Sequence, residues 1–195
     1  MRRCLVVNLD RCSGCDSCVA ACKYENSIGL GTYWNRVVTV GPSGDFPDIE
    51  MYWIPSQCQQ CENPSCVHVC PTGASYRDEK TGVVLVDKAK CIGCQYCVYA
   101  CPYGVRMLNE DAKVVEKCTL CNHLTADGKE LPACVLACCT GARFFGDLDD
   151  PDSDVSKELA KYGDECIHQL PDPSGNKPLT RYILSPETAT WKELF

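Results

Sequence analysis

Sixteen of the nineteen cysteines stand in four groups: Cys12, Cys15, Cys18 and Cys22; Cys58, Cys61, Cys66 and Cys70; Cys91, Cys94, Cys97 and Cys101; Cys118, Cys121, Cys134 and Cys138. Every group closes on a C-x₃-C step, and the first and third are C-x₂-C-x₂-C-x₃-C throughout. Thiolate-only donor sets select zinc, Cu(I) or iron–sulfur clusters, so the spacing must decide the metal. In the C-x₂-C-x₂-C-x₃-C run three close thiolates hold one [4Fe–4S] cubane, and the displaced fourth completes its neighbour. Zinc competes at the fourth group, whose C-x₂-C-x₁₂-C-x₃-C looks like a zinc ribbon. A zinc group there would leave its exchange partner a half-built cluster. Each group also offers four cysteines where a [3Fe–4S] site usually lacks one. All sixteen therefore read as iron ligands of four [4Fe–4S] clusters.

Other residues take supporting roles. Cys4 reads as an inert core thiol, and Cys166 has no partner apparent. Cys139 stands where proline follows Cys70 and Cys101, and because Cys138 keeps the x₃ spacing, Cys139 is the bystander. Arg11, Lys90 and Lys117 each precede the first cysteine of a group, while Lys23, Arg106 and Arg143 come after a last one. A cation beside an anionic cluster favours the reduced state and raises its potential. The alternative is that these residues solubilise or pair with carboxylates. Tyr96, Tyr99 and Tyr103 read as packing around the third group. His68 lies between Cys66 and Cys70 but is not a ligand, because the thiolate set is complete; His123 and His168 fall in loops. No Ser/His/Asp set, phosphate loop or dinucleotide glycine fingerprint occurs. With four thiolates closing every cluster, no open iron site is left for substrate. The chain conducts electrons, and catalytic residues are not expected in it.

Composition limits the alternatives. Cysteine makes up nearly a tenth of the 195 residues, but the count is odd and the intervals are too tight for a disulfide scaffold. No secretory signal is expected, and no apolar run reaches the about 18–20 residues of a membrane span. The formal charge is −7. Each oxidised cluster with four thiolates adds about −2, bringing the loaded chain to about −15 and excluding nucleic acid as a partner.

These thiols need short elements to position them, and the repeat supplies them. Pro71-Thr72-Gly73-Ala74, Pro102-Tyr103-Gly104-Val105-Arg106 and Cys139-Thr140-Gly141-Ala142-Arg143 follow the last cysteines of groups two, three and four. Each C-x₃-C step fits one helical turn that Pro or Gly then ends. Short β-prone runs, Cys4 to Leu9 and Val83 to Asp87, precede groups one and three. Strand, cysteine loop, short helix and strand make a bacterial-ferredoxin unit. Groups two and three are neighbours and pair naturally, leaving one and four to meet; an array pairing one with two and three with four competes. Trp34 to Val40 and Glu50 to Ile54, joined at Gly41-Pro42-Ser43-Gly44, predict a β-hairpin. Asn122 to Ala133 reads as an exposed loop, and Val155 to Tyr162 as a short helix. The Pro/Gly-rich end of the chain looks poor in core residues, either wrapping a partner or mobile. The expected fold is α+β: tandem bacterial-ferredoxin-like modules with a β-hairpin insert over 27–56 and an extended C-terminal tail. Residues 1–145 form the four-cluster domain, and 146–195 a C-terminal extension contacting a partner subunit.

Cys12-Ser13-Gly14-Cys15, Ala21-Cys22-Lys23-Tyr24-Glu25-Asn26, Gln57-Cys58-Gln59-Gln60-Cys61-Glu62-Asn63-Pro64, Cys91-Ile92-Gly93-Cys94-Gln95-Tyr96-Cys97 and Phe145-Gly146-Asp147-Leu148-Asp149-Asp150-Pro151 cover most of the chain. Together they resemble the four-cluster electron-transfer subunits of the molybdopterin (DMSO reductase) superfamily, in which polysulfide, thiosulfate, dimethyl sulfoxide and arsenate reductases and transhydroxylases fall. The resemblance implies that Cys12, Cys15 and Cys18 share a cluster with Cys138, and Cys118, Cys121 and Cys134 with Cys22. It likewise implies that Cys58, Cys61 and Cys66 join Cys101, and Cys91, Cys94 and Cys97 join Cys70, so that groups one and four form one module and groups two and three the other. Cys139 departs from the proline common there. The implied partners are a large molybdopterin subunit holding molybdenum or tungsten and a quinone-binding membrane subunit or soluble donor. The implied location is the extracytoplasmic face of the cell membrane, by co-export with a twin-arginine partner, or else the cytoplasm. A hydrogenase or formate-oxidising complex is the alternative setting, and a zinc-stabilised scaffold the alternative class.

Overall fold

The computed structural model describes residues 1–192; Glu193, Leu194 and Phe195, the end of the expected 146–195 extension, lie outside the described residues. In chain order the elements are β1 (Arg3–Asn8), α1 (Ser17–Glu25), β2 (Asn35–Ser43), β3 (Glu50–Gln57), α2 (Ser65–His68), β4 (Ser75–Arg77), β5 (Val84–Val86) and α3 (Tyr96–Tyr99). There follow β6 (Met107–Asn109), β7 (Val114–Glu116), α4 (Asn122–Thr125), α5 (Ala133–Leu136), β8 (Arg143–Asp147), α6 (Asp154–Leu159), β9 (Ile167–His168) and β10 (Arg181–Ile183). The elements are short because the chain turns at each cysteine group. Each C-x₃-C step lies on or against one of four helices, α1, α2, α3 and α5, and the αL residues Asp16 and Gln95 turn the chain into α1 and α3. Helix α1 packs on α5, and α2 on α3.

Every residue of β1 is buried, so the strand needs cover on both edges and both faces. It pairs antiparallel with β8, just past the fourth cysteine group, and parallel with β10, which brings β9 onto the sheet in the order β8-β1-β10-β9. The second and third groups are flanked by two small hairpins, β4–β5 and β6–β7.

The hairpin insert forms, but its turn differs from the expected Gly41–Gly44. Pro42 has no N–H for the ladder, so the register slips between Val40 and Ser43 and the strand carries on through a bulge. The chain reverses instead over residues 44–49. Residues 122–133 begin with helix α4, whose buried Thr125 offers its carbonyl to the Arg3 guanidinium at 2.7 Å; His123 and the tip at 126–130 are exposed. Helix α6 is capped by the Ser153 hydroxyl, which accepts the Ser156 N–H.

The C-terminal tail is richer in core than its composition predicts. It supplies the buried side chains Leu170, Leu179, Tyr182, Ile183 and Leu184 and docks along β1. Its apolar residues are scattered among Pro and Gly without period, so the local pattern hides a core that only the parallel pairing assembles. The Asp10 carboxylate accepts from the Ser185 N–H and hydroxyl, and that of Glu50 from the Thr190 N–H and hydroxyl. Trp191 stacks on His168 with ring centroids 4.7 Å apart.

Candidate metal centres

Three pockets are each walled by four cysteines. Cys58, Cys61, Cys66 and Cys101 line one. A second is lined by Cys70, Cys91, Cys94 and Cys97, and a third by Cys22, Cys118, Cys121 and Cys134. Each combines three thiols of one sequence group with the last thiol of another. Of the four other thiols at cluster spacing, Cys12, Cys18 and Cys138 are also neighbours: burial pushes the Cys12 thiol up, and Cys18 and Cys138 add to the rise. Among the described residues, no three His, Cys, Asp or Glu side chains converge closely enough to hold a single metal ion. The sulfurs instead surround a volume, as a cluster requires and a zinc ribbon does not.

The local backbone explains the spacing. Gly14 and Gly93 stand before Cys15 and Cys94 at φ 67°, where any side chain is strained. A Cβ at Gly14 would also meet the Trp53 ring at 2.6 Å, and one at Gly93 the Lys113 carbonyl at 2.5 Å. The turns aim N–H groups at sulfur: Ser75 at Cys70 (3.3 Å), Val115 at Cys91 (3.4 Å), Leu120 at Cys118 (3.4 Å) and Ala142 at Cys138 (3.2 Å). Such donors stabilise anionic sulfur.

Burial separates the four sets. Cys22, Cys118, Cys121 and Cys134 are all buried, whereas Cys94 and Cys15 are exposed members of theirs. Burial, with Cys134 and Cys121 adding to it, pushes the Cys22 thiol up to about 12. Cys118 is raised by burial, then by Cys22, Cys134 and Cys58, so the set of Cys58 adjoins this buried one. The Cys15 thiol is pulled down to about 7, first by its hydrogen bond with the Ser17 hydroxyl.

Of the six cations near the groups, three are buried. Arg106 Nη2 donates to Cys66 Sγ at 2.9 Å and to the Ser75 hydroxyl at 3.0 Å. Arg143 Nη2 donates to Gln57 Oε1 at 3.0 Å, and Lys117 donates to the carbonyls of Val84 and Cys118. Burial alone would lower the pKa of both arginines, but the surrounding thiolates outweigh it and both are raised, so they stay cationic. Arg11, Lys23 and Lys90 are not buried: Arg11 lies 3.9 Å from Glu158, Lys23 donates to carbonyls, and Lys90 pairs with Asp87.

Unpartnered donors complete the cavities. Around Cys58, Cys61, Cys66 and Cys101 these are Arg106 Nη1, Tyr103 Oη and Asn176 Nδ2; around Cys22, Cys118, Cys121 and Cys134 they are Trp34 Nε1, Asn35 Nδ2, Gln57 Nε2 and the Arg143 Nε and Nη1. Buried N–H groups without acceptors are rare, and an anionic sulfur-rich group would satisfy them. Residues present therefore fit [4Fe–4S] clusters. Asn176, in the C-terminal extension, carries no sequence signal for this role, nor does Trp34.

The remaining expectations divide. Tyr103 is buried beside a cavity, and Tyr96 lines that of Cys70, Cys91, Cys94 and Cys97 although it is 61% exposed, whereas Tyr99 faces outward at 83% exposure. His68 meets the Asn63 side chain at 2.8 Å and His123 meets Glu25 at 2.8 Å, leaving neither at a cavity. Cys4 is fully buried, its thiol pushed up to about 12 by burial, and Cys166 shares its apolar cluster. Cys139 is exposed with its Sγ 3.6 Å from Cys15 Sγ.

Comparison with known proteins agrees with this geometry. The 4Fe-4S dicluster domain matches residues 49–148, and a second 4Fe-4S dicluster domain matches residues 11–74. A Halobacterium salinarum chain named as an iron-sulfur subunit of a dimethyl sulfoxide reductase is 46% identical over 92% of this chain and 78% of its own length. A chain of Allochromatium vinosum named as a sulfite dehydrogenase subunit is 45% identical over 92% of this chain and 81% of its own. The arsenate respiratory reductase iron-sulfur subunit of a Shewanella strain is 36% identical over 95% and 97%. The chain belongs to this family of iron–sulfur electron-transfer subunits, which are made of tandem 4Fe-4S dicluster domains. It carries four [4Fe–4S] clusters. Among the described residues, no helix is long and apolar enough to cross a membrane.

Proposed function

We propose that this chain relays electrons between a molybdopterin catalytic subunit, holding molybdenum or tungsten, and a quinone-linked membrane subunit or soluble donor. The observation that carries it is the walling of each cavity by thiols of two sequence groups, which makes adjoining sites rather than isolated ones. The ligand sets are Cys12, Cys15, Cys18 with Cys138; Cys118, Cys121, Cys134 with Cys22; Cys58, Cys61, Cys66 with Cys101; and Cys91, Cys94, Cys97 with Cys70. Packing of α1 on α5 and α2 on α3 supports a nested pair of modules within residues 1–145. Similarity to subunits named for sulfite dehydrogenase and arsenate respiratory reductase supports the catalytic partner.

Bound clusters supply one-electron transfer. The chain's own residues order the sites: two sets without an exposed cysteine lie side by side at Cys58 and Cys118, and each outer set has one exposed cysteine, Cys15 or Cys94, through which a partner can be reached. Buried Arg106 and Arg143 offset negative charge at the inner sites, where water cannot. The outer face of the extension, with exposed Asp150, Asp152 and Asp154, is proposed to contact a partner subunit.

Anaerobic purification with its native partners tests the proposal. About 16 iron and 16 acid-labile sulfide per chain are expected, together with a molybdenum- or tungsten-pterin protein in the complex. A nickel–iron partner would refute the molybdopterin assignment.

A further inference from the structure

Asn176 reaches the cavity of Cys58, Cys61, Cys66 and Cys101 from the C-terminal extension, far along the chain from the thiols it meets. It is 2% exposed. Its Oδ1 accepts from the Ser65 N–H at 2.8 Å and the Ser65 hydroxyl at 2.7 Å. A backbone N–H can only donate, so these bonds identify the oxygen end of the amide and leave Nδ2 as the other end. Nδ2 has no acceptor in the protein.

The loop that presents it is built rather than incidental. The Asp172 carboxylate accepts the N–H groups of Asn176 (2.7 Å) and Lys177 (2.8 Å). The Glu62 N–H donates to the Lys177 carbonyl and the Asn63 N–H to that of Asn176, both at 3.0 Å. The Asn63 side chain donates to the Gly175 carbonyl at 3.0 Å. The extension thus grips the stretch between Cys61 and Cys66 and inserts a single amide behind it.

We infer that Asn176 is a positioning and tuning residue: its Nδ2 donates a hydrogen bond to sulfur of the cluster held by Cys58, Cys61, Cys66 and Cys101, favouring the reduced form. The inference rests on the ligand set proposed above. Reduction adds one negative charge to that cluster, and a hydrogen bond strengthens as its acceptor becomes more anionic. Among the described residues, those lining the neighbouring cavity of Cys70, Cys91, Cys94 and Cys97 include no unpartnered buried donor. Within this module the extension therefore biases the electron toward the inner site.

EPR-monitored redox titration of the whole chain in its complex tests this. Asn176→Leu removes the donor; Ser65→Ala loosens the same clamp but leaves Nδ2 in place. The expected result is a shift of one cluster's reduction equilibrium about tenfold toward the oxidised form in Asn176→Leu, about 59 mV for one electron. The other three clusters stay put, and Ser65→Ala moves none. Four unmoved potentials in Asn176→Leu, or an equal shift in Ser65→Ala, would overturn the inference. Should Asn176→Leu fail to load, Asn176→Gln serves, because it keeps the amide. With ¹⁵N confined to asparagine, pulsed EPR of the reduced wild type should show a coupling that Asn176→Gln lacks, and identical couplings in both would be decisive against it. Failure of the underlying ligand set is read separately: Cys58→Ser and Cys101→Ser would then perturb different clusters.

Discussion

Replacing Arg106 by Met should lower the midpoint potential of the cluster proposed at Cys58, Cys61, Cys66 and Cys101 by about 60–170 mV. Arg106 is 3% exposed, with Nη2 only 2.9 Å from Cys66 Sγ, so water contributes little screening between them. Two unit charges about 4 Å apart interact by about 4 kcal/mol at an effective dielectric of about 20. The added electron spreads over irons and sulfurs, so the guanidinium feels between about a third and all of that, or about 1.4–4 kcal/mol. At about 59 mV per 1.4 kcal/mol for one electron this gives the range stated. Arg106→Lys keeps the charge but loses the planar fork that also reaches Ser75, so its shift should be less than half as large. The Cys70, Cys91, Cys94 and Cys97 site should follow weakly, because Cys97 is among the thiolates that raise Arg106, and the other module should not respond. EPR-monitored titration of fully loaded protein is the assay. A potential that rises or stays fixed in Arg106→Met would show that the cation only solubilises or packs, and would refute the electrostatic reasoning.

Three further outcomes follow from burial. Stripping iron anaerobically with a chelator and oxidant should collapse the far-UV circular dichroism, since Cys18, Cys22, Cys58, Cys61, Cys118 and Cys134, proposed above as ligands, belong to the main core; a cooperative melt of the apo-chain would contradict this. Truncation before Cys166 removes Leu170, Leu179, Tyr182, Ile183 and Leu184 from the interior, about 7–15 kcal/mol of apolar burial and comparable to the whole stability of a domain, so the truncated chain should fail to hold its clusters by iron assay. Alkylation of the loaded protein, read by mass spectrometry, should mark Cys139 and spare Cys4, whose thiol is buried and held up at about 12; Cys139→Ala should keep about 16 iron per chain.

The sixteen thiols were legible in the sequence because ligand spacing is a local property: C-x₂-C turns and C-x₃-C steps place sulfur within a few residues whatever the rest of the chain does. The short helices, the strand at Cys4 to Leu9 and the hairpin insert were readable for the same reason. Local reading failed where long-range packing decides. The Pro/Gly-rich tail carries no periodic signal, yet it pairs with β1 from the other end of the chain. Six cations flank the cysteine groups, and nothing in their spacing says that Arg106, Arg143 and Lys117 are buried while Arg11, Lys23 and Lys90 are not. Tyr96 and Tyr99 sit as close to a ligand in sequence as Tyr103 does, yet of the three only Tyr103 is buried. Spacing alone shows which sixteen thiols stand at cluster intervals. Spacing left two pairings of the groups open and said nothing of the donors sealed in with them; the folded core settles which thiols line one cavity with which donors, because those neighbours come from distant segments and depend on which side chains it shuts away from water.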